Sequence, residues 1–186
     1  MKAKFLFLGT AGLLAAGLGL WNGLAQKASV PLKPKLSISI KPADVANALR
    51  AVIASDREVC AQSGLQASVA RNPSPCEFLR RSSEATASKG VEFSYVLRSL
   101  QPSDPRNTPE TPLERKGLEF VAGHPDASFS SEEILGGRWY YTAVYPDVAV
   151  HQSCVDCHNR RQDAARKEYR LGDVMGGLVV RVALEL

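Results

Sequence analysis

Two cysteines and a histidine near the carboxyl end of the chain have residue types and a spacing that can do chemistry. Cys154, Cys157 and His158 form the pattern Cys-x-x-Cys-His. Two thiols at this spacing can add to the two vinyl groups on one edge of a porphyrin, and the histidine then lies under the iron as an axial ligand. The pattern predicts one covalently bound c-type haem (haem c), with Cys154, Cys157 and His158 binding the cofactor and His158 also binding the metal.

Three other roles of paired cysteines fit this sequence less well. A thioredoxin-like pair follows a strand and opens a helix in a fold with parallel strands, whereas we predict that this pair lies in a loop after a hairpin. A zinc site needs a second pair of ligands, and Cys60 and Cys76 stand far apart with no paired histidine. A disulfide between Cys154 and Cys157 would close a very small loop.

Residue types alone do not identify the sixth ligand of such an iron. His151 lies only seven residues before His158, so it can hardly reach the opposite haem face and is better placed for solvent or a haem propionate. Met175 is equally suited to core packing, and His124 to capping a helix. A disulfide between the two remaining cysteines is the alternative in an oxidising compartment. The candidates are Cys60, Cys76, His124, His151 and Met175.

The first 25 residues have the pattern of an export segment. Lys2 and Lys4 precede an uncharged run rich in Leu, Ala and Gly that extends from Phe5 to about Trp21. We predict a signal peptide cleaved after Ala25, or a retained membrane anchor, because the run is near the lower limit of about 17 residues for crossing a bilayer. Either form would place the rest of the chain in the periplasm, with a possible membrane tether at the amino terminus.

Length and composition exclude several classes of protein. The chain has 186 residues, 45% of them hydrophobic and 23% charged, which is typical of one ordinary globular domain and not of a disordered or multi-pass membrane protein. The net charge is +4, and two of the positive charges belong to the export segment. This modest charge argues against a nucleic-acid partner.

The pattern of prolines, glycines and apolar residues predicts an α+β domain. After the export segment, 1–25, we expect an extended linker over 26–41 and one folded domain over 42–186. A capping box at Thr111 to Glu114 marks one helix start, and Gly136-Gly137 marks a tight hairpin. The expected elements are helices over 42–62, 76–87 and 112–123, strands over 91–97, 128–135, 138–145 and 177–186, and a loop over 146–170 that contains the cysteine pair.

Several segments, taken in order, resemble a family of bacterial c-type-haem domains with a PAS-like fold. They cover nearly the whole region from about residue 43 to the carboxyl terminus. The segments are Phe93-Ser94-Tyr95, 107–119, 140–146, 153–159 and 171–177. The resemblance implies a PAS-like antiparallel sheet of about five strands, amino-terminal helices, and a haem held by Cys154, Cys157 and His158.

The same resemblance implies a distal iron ligand. Some members carry a cysteine in a Val-Cys context in their first helix, and Val59-Cys60 matches that position. Cys60 is therefore the best candidate for a second metal ligand. A thiolate stabilises ferric iron and can be lost on reduction, which suits a switch.

We therefore expect an exported protein with a single haem that senses redox state or a small ligand, such as a gas, at the axial position. Its output is expected to pass through a redox or signalling partner protein. The alternative is a small periplasmic electron-transfer cytochrome. No distal His/Arg pair typical of a peroxidase is recognisable, so we predict no enzymatic activity.

Overall fold

The computed structural model describes residues 40–62, 75–160 and 168–184, without the side chains of 61, 62, 75 and 76. The predicted export segment and nearly all of the predicted linker lie outside these ranges. The elements are four helices, α1 (Pro42–Gln62), α2 (Pro75–Ala87), α3 (Pro112–Gly123) and α4 (Gln152–Arg160), and four strands, β1 (Phe93–Arg98), β2 (Phe129–Leu135), β3 (Arg138–Val148) and β4 (Val174–Ala183). Among the described helices, none combines the length and hydropathy that a membrane span requires.

The four strands form one antiparallel sheet in the order β1-β4-β3-β2. Val180, in the middle of β4, pairs with Tyr95 on one side and with Ala143 on the other. The β2–β3 hairpin turns through Gly136 and Gly137, whose φ angles of 57° and 82° give the left-handed conformation at both turn positions. Such a turn matches the twist of the paired strands and strongly favours glycine, as the sequence predicts.

Helices cover both faces of the sheet. On one face, α1 and α2 pack through Ala46, Ile53 and Leu79 against alternate residues of β3 and β4. On the other face, α3 packs through Leu118 and Val121. Because successive strand residues point to opposite sides, β4 contributes to both clusters and is buried along most of its length.

A buried ion-pair network fixes the start of α3. Thr111 accepts a hydrogen bond from the Glu114 amide, as in the predicted capping box, but the Glu114 carboxylate accepts from the amide of Glu110 at 2.5 Å rather than from that of Thr111. The same carboxylate lies 2.6 Å from Arg181 Nη2 and 3.4 Å from Arg98 Nε. Glu114 is fully buried, so the network ties α3 to β1 and β4 through charges shielded from water.

The α+β architecture is confirmed, while the expected strand number differs. The described residues form four strands rather than about five. After β1 the chain contains Pro102, Pro105 and Pro109, which cannot donate to a sheet ladder, and it makes only a short 3₁₀ turn over Pro105–Asn107. The last strand begins at Val174 rather than at the predicted 177. It includes Gly176 and Gly177, because the Arg98 backbone and the Leu118 side chain approach these two positions too closely for a side chain.

Candidate functional site

The Cys-x-x-Cys-His residues lie on a helix, so the prediction of a loop over 146–170 was wrong at this point. The helix is α4, which starts four residues after the end of β3. His151 caps it, since its Nδ1 accepts from the Ser153 amide at 3.1 Å and its carbonyl accepts from the Cys154 amide at 3.0 Å. A histidine in place of the usual Ser, Thr, Asp or Asn cap concealed the helix start in the sequence.

Cys154, Cys157 and His158 lie on one side of α4. At about 100° per residue, Cys157 is about 60° and His158 about 40° from Cys154 around the helix axis. All three side chains are half-buried, whereas Gln152, Asp156 and Arg160 form the exposed side. The three donors are therefore close to one another and remain accessible to a large planar group.

A small apolar cluster holds α4 against the end of the sheet. Val155 is 6% exposed and packs with Ala149, Tyr169 and Met175, and Cys154 rests on the same cluster. Asn159 adds two backbone hydrogen bonds, donating to the Tyr169 carbonyl and accepting from its amide, both at 2.9 Å. The segment around Tyr169 is thereby fixed to the carboxyl-terminal turn of α4.

Tyr169 also contacts the histidine of the motif. The ring centroids of His158 and Tyr169 are 5.5 Å apart and the rings are nearly perpendicular, at 80°. This edge-to-face arrangement restricts the orientation of the imidazole. This contact could not be predicted from the sequence, since no motif links Tyr169 to His158.

Cys60 lies on a different element, near the carboxyl end of α1, as predicted. It is half-buried and follows Ile53 and Arg57 at helical spacing on the face of α1 that lies against the sheet. A cavity of about 200 Å³ opens along this face. Its lining is mostly apolar, with two guanidinium groups, and consists of Arg50, Ile53, Ala54, Arg57, Leu97, Pro125, Tyr145, Pro146, Val148, Val150 and Leu178.

Tyr145 forms the buried wall of this cavity. Its hydroxyl donates to Asn47 Oδ1 at 2.8 Å, and the Arg50 guanidinium lies 5.3 Å from the ring centroid. Burial raises the pKa of Tyr145 to about 12, and the nearby Tyr141 acts in the same direction. Tyr145 is therefore a neutral hydrogen-bond donor at physiological pH.

Three other sixth-ligand candidates have structural roles. His124 caps the carboxyl end of α3 and stacks on Phe120 at 4.4 Å between centroids. Met175 is 4% exposed within the cluster under α4. His151 caps α4. The predicted alternative of a Cys60–Cys76 disulfide depends on the Cys76 side chain, which lies outside the described residues.

The donor set fits a covalently attached porphyrin better than the alternatives. Cys154 and Cys157 are not bridged to each other. The part of the chain that the structure describes contains no group of three or more His, Cys, Asp and Glu side chains arranged to hold a metal ion by themselves. The cysteine pair follows a strand and lies in a helix, as in thioredoxin. The described sheet is antiparallel throughout, however, whereas a thioredoxin-like fold contains parallel strands.

Comparison with known proteins agrees with this architecture. The crystal structure of the cyanobacterial heme-protein Tll0287 matches with a TM-score of 0.53 and 20% sequence identity, over 77% of this chain and 97% of that chain. This likeness shows a shared fold. No curated protein matches the sequence. The profile of the Tll0287-like family matches residues 35–183, which is most of the chain. The family predicted from the sequence motifs is thus confirmed, and the chain belongs to the Tll0287-like family.

Proposed function

We propose that this protein binds one c-type haem through Cys154, Cys157 and His158. The observation that carries the proposal is the placement of these three half-exposed side chains on one side of a firmly anchored helix. Each cysteine would add its S–H across one vinyl C=C bond, with sulfur bonding to one carbon and hydrogen to the other, so that no oxidant is needed. Membership of the family, and its likeness to a solved cyanobacterial heme-protein, support the proposal.

The chain's own residues prepare this side of α4 for such a group. Val155 and Asn159 fix the helix, and Tyr169 orients the His158 ring through their edge-to-face contact. A fixed ring lowers the entropic cost of ligation, because fewer rotamers are lost on binding. A bound haem would supply an iron that changes oxidation state and can take a small ligand.

Cys60 is the proposed second axial ligand. It is one of two half-buried side chains among residues 54–60 of α1, and it lies beyond the apolar cavity on the same helix face. A cysteine ligand would favour ferric iron and would be displaceable after reduction. We therefore propose that the protein is exported and senses redox state or a small ligand at this position, with a partner protein receiving the signal.

The test of haem attachment is the alkaline pyridine spectrum of the full-length protein isolated from cells that assemble c-type haem. We expect a c-type spectrum with one haem per chain, a single remaining thioether in Cys154→Ala or Cys157→Ala, loss of covalent attachment in the double variant Cys154→Ala/Cys157→Ala, and full attachment in the matched control Asp156→Ala on the exposed side of α4. A wild-type protein without covalently bound haem would refute the proposal.

The test of the axial assignment compares EPR and absorption spectra of wild type and Cys60→Ala in both oxidation states. We expect a low-spin thiolate signature in the ferric wild type that Cys60→Ala removes, and carbon monoxide binding after reduction. An iron that keeps the same six ligands in both states and binds no carbon monoxide would instead favour electron transfer.

A further inference from the structure

A buried ion pair joins the carboxyl-terminal half of α1 to the strand that leads into α4. The guanidinium of Arg57 contacts the carboxylate of Asp147, and the two side chains are only 15% and 7% exposed. Asp147 stands at the end of β3, where the register with β4 shifts, and α4 begins five residues later. Arg57 precedes Cys60 by about one helical turn. The pair thus links α1, which carries Cys60, to the strand that leads into α4, which carries His158.

Few of the described side chains in the last turns of α1 are buried. Ile53, at 5% exposure, is its last buried residue in the described range. From Ala54 to Cys60, five of the seven residues are exposed, and only Arg57 and Cys60 are half-buried. The first half of the helix is held separately by Ala46 and by the hydrogen bond from Tyr145 to Asn47. Arg57 is therefore well placed to determine how the end of α1 lies on the sheet.

We infer that Arg57 and Asp147 are positioning residues that decide whether Cys60 reaches the iron held by His158. This inference rests on the proposed function. Metal–ligand distances in proteins are fixed to within about 0.2 Å, whereas a displacement of α1 by one turn moves its residues by about 5 Å. Even a small movement of the last turns would exchange a ligated cysteine for an open axial position.

We call the Arg57–Asp147 ion pair a latch, because it has a closed, paired arrangement and an open, hydrated one. Two charges buried together are stable only while they remain paired, because either one left alone keeps the cost of desolvation without the attraction. When the contact opens, both groups need water, which they can obtain if the end of α1 moves away from β3. A closed latch would correspond to ligated Cys60, and an open latch to a vacant axial site.

The experiment uses the full-length, haem-loaded protein with Arg57→Gln, Asp147→Asn and Arg57→Lys. The matched control is Arg138→Gln, which breaks an exposed ion pair with Glu92 at the other end of β3. Amide hydrogen exchange over residues 54–60 reports how firmly α1 is held. The low-spin thiolate EPR signal reports ligation by Cys60. We expect Arg57→Gln and Asp147→Asn to speed exchange and lose most of the EPR signal, Arg57→Lys to retain much of it, and the control to change neither.

The two readouts separate this inference from the proposed function. Unchanged exchange in both Arg57→Gln and Asp147→Asn would overturn the latch, and so would faster exchange with a full EPR signal. A wild-type protein whose spectrum does not depend on Cys60 would refute the axial assignment, and with it the consequence inferred for iron. The exchange rates would still decide whether the pair holds α1.

Discussion

Replacing Glu114 with glutamine tests how far the fold depends on the ion-pair network under α3. The fully buried Glu114 carboxylate accepts from the Glu110 amide at 2.5 Å with one oxygen and from Arg181 at 2.6 Å with the other. Glutamine has nearly the same shape but offers one acceptor oxygen, and its NH₂ group would face a donor. One buried donor would then lose its acceptor, and Arg98 and Arg181 would lose their shared anion.

The expected loss follows from these contacts. An unsatisfied buried donor costs about 1–3 kcal/mol, and breaking a buried ion pair by removing one partner costs about 3–5 kcal/mol. Because glutamine keeps one of the two hydrogen bonds, and because Arg98 keeps Glu110 and Arg181 keeps Glu133 as partners, we expect the free energy of unfolding to fall by about 2 kcal/mol. Urea denaturation at pH 7 measures it, with Glu119→Gln on the exposed side of α3 as the control. A loss below about 1 kcal/mol would show that the network contributes little.

We also expect the effect of Glu114→Gln on the free energy of unfolding to depend on pH. Burial alone would raise the pKa of Glu114, but the Glu110 amide, Arg181 and Arg98 outweigh it and hold the pKa below its ordinary value of 4.5. The unfolded chain therefore binds this proton at a higher pH than the folded protein does. The stabilisation is present above the ordinary pKa and is lost as the pH falls through the lower, folded-state pKa. The stability difference between wild type and Glu114→Gln should shrink below pH 4.5, and a constant difference would contradict the assignment.

Further predictions concern packing and the support of α4. A Cβ added to Gly117 would lie 2.5 Å from Val144 Cγ2, so Gly117→Ala should lower the free energy of unfolding by about 1–3 kcal/mol, measured by denaturation. Gly123→Ala, on the same helix with open space around it, should be neutral or stabilising by about 0.5 kcal/mol; equal losses in both variants would contradict the packing argument. Asn159→Ala removes both hydrogen bonds to Tyr169 and should speed exchange of the Tyr169 amide; unchanged exchange would show that another contact holds this segment.

The long elements could be predicted from local patterns because their local preferences and their packing agree. Pro42 at the first turn and apolar residues at helical spacing indicate α1, and the described helix has the predicted bounds. Gly136 and Gly137 fix the hairpin turn, and the strands on each side follow. Helix α4 was missed because it has nine residues, contains only Val155 as a buried residue, and is capped by a histidine. Its stability comes from Tyr169 and Met175, and such contacts leave no periodic pattern in a single sequence.

Some features of the candidate site could likewise be predicted from the sequence, and others could not. The motif could be found because the attachment chemistry needs fixed residue types at a fixed spacing. The Asn159–Tyr169 contact joins α4 to the segment before β4, and the Arg57–Asp147 contact joins α1 to β3, so both depend on how the elements pack. A pairing that depends on tertiary structure, such as Arg57 with Asp147, has no local signature, since lone arginines and aspartates are common on any surface.

The buried cluster under α4 is separate from the two clusters that stabilise the sheet, so the site can be altered without changing the main core. The two clusters that stabilise the sheet are built from α1, α2, α3 and the strands, while α4 rests on its own small cluster around Val155 and Tyr169. Cys157 and His158 belong to none of these buried sets. Substituting them therefore removes cofactor ligands without creating a cavity in the main core. A His158→Ala protein that, prepared without haem, keeps the unfolding free energy of wild type prepared without haem would show that this fold holds its site on an element that its core does not need.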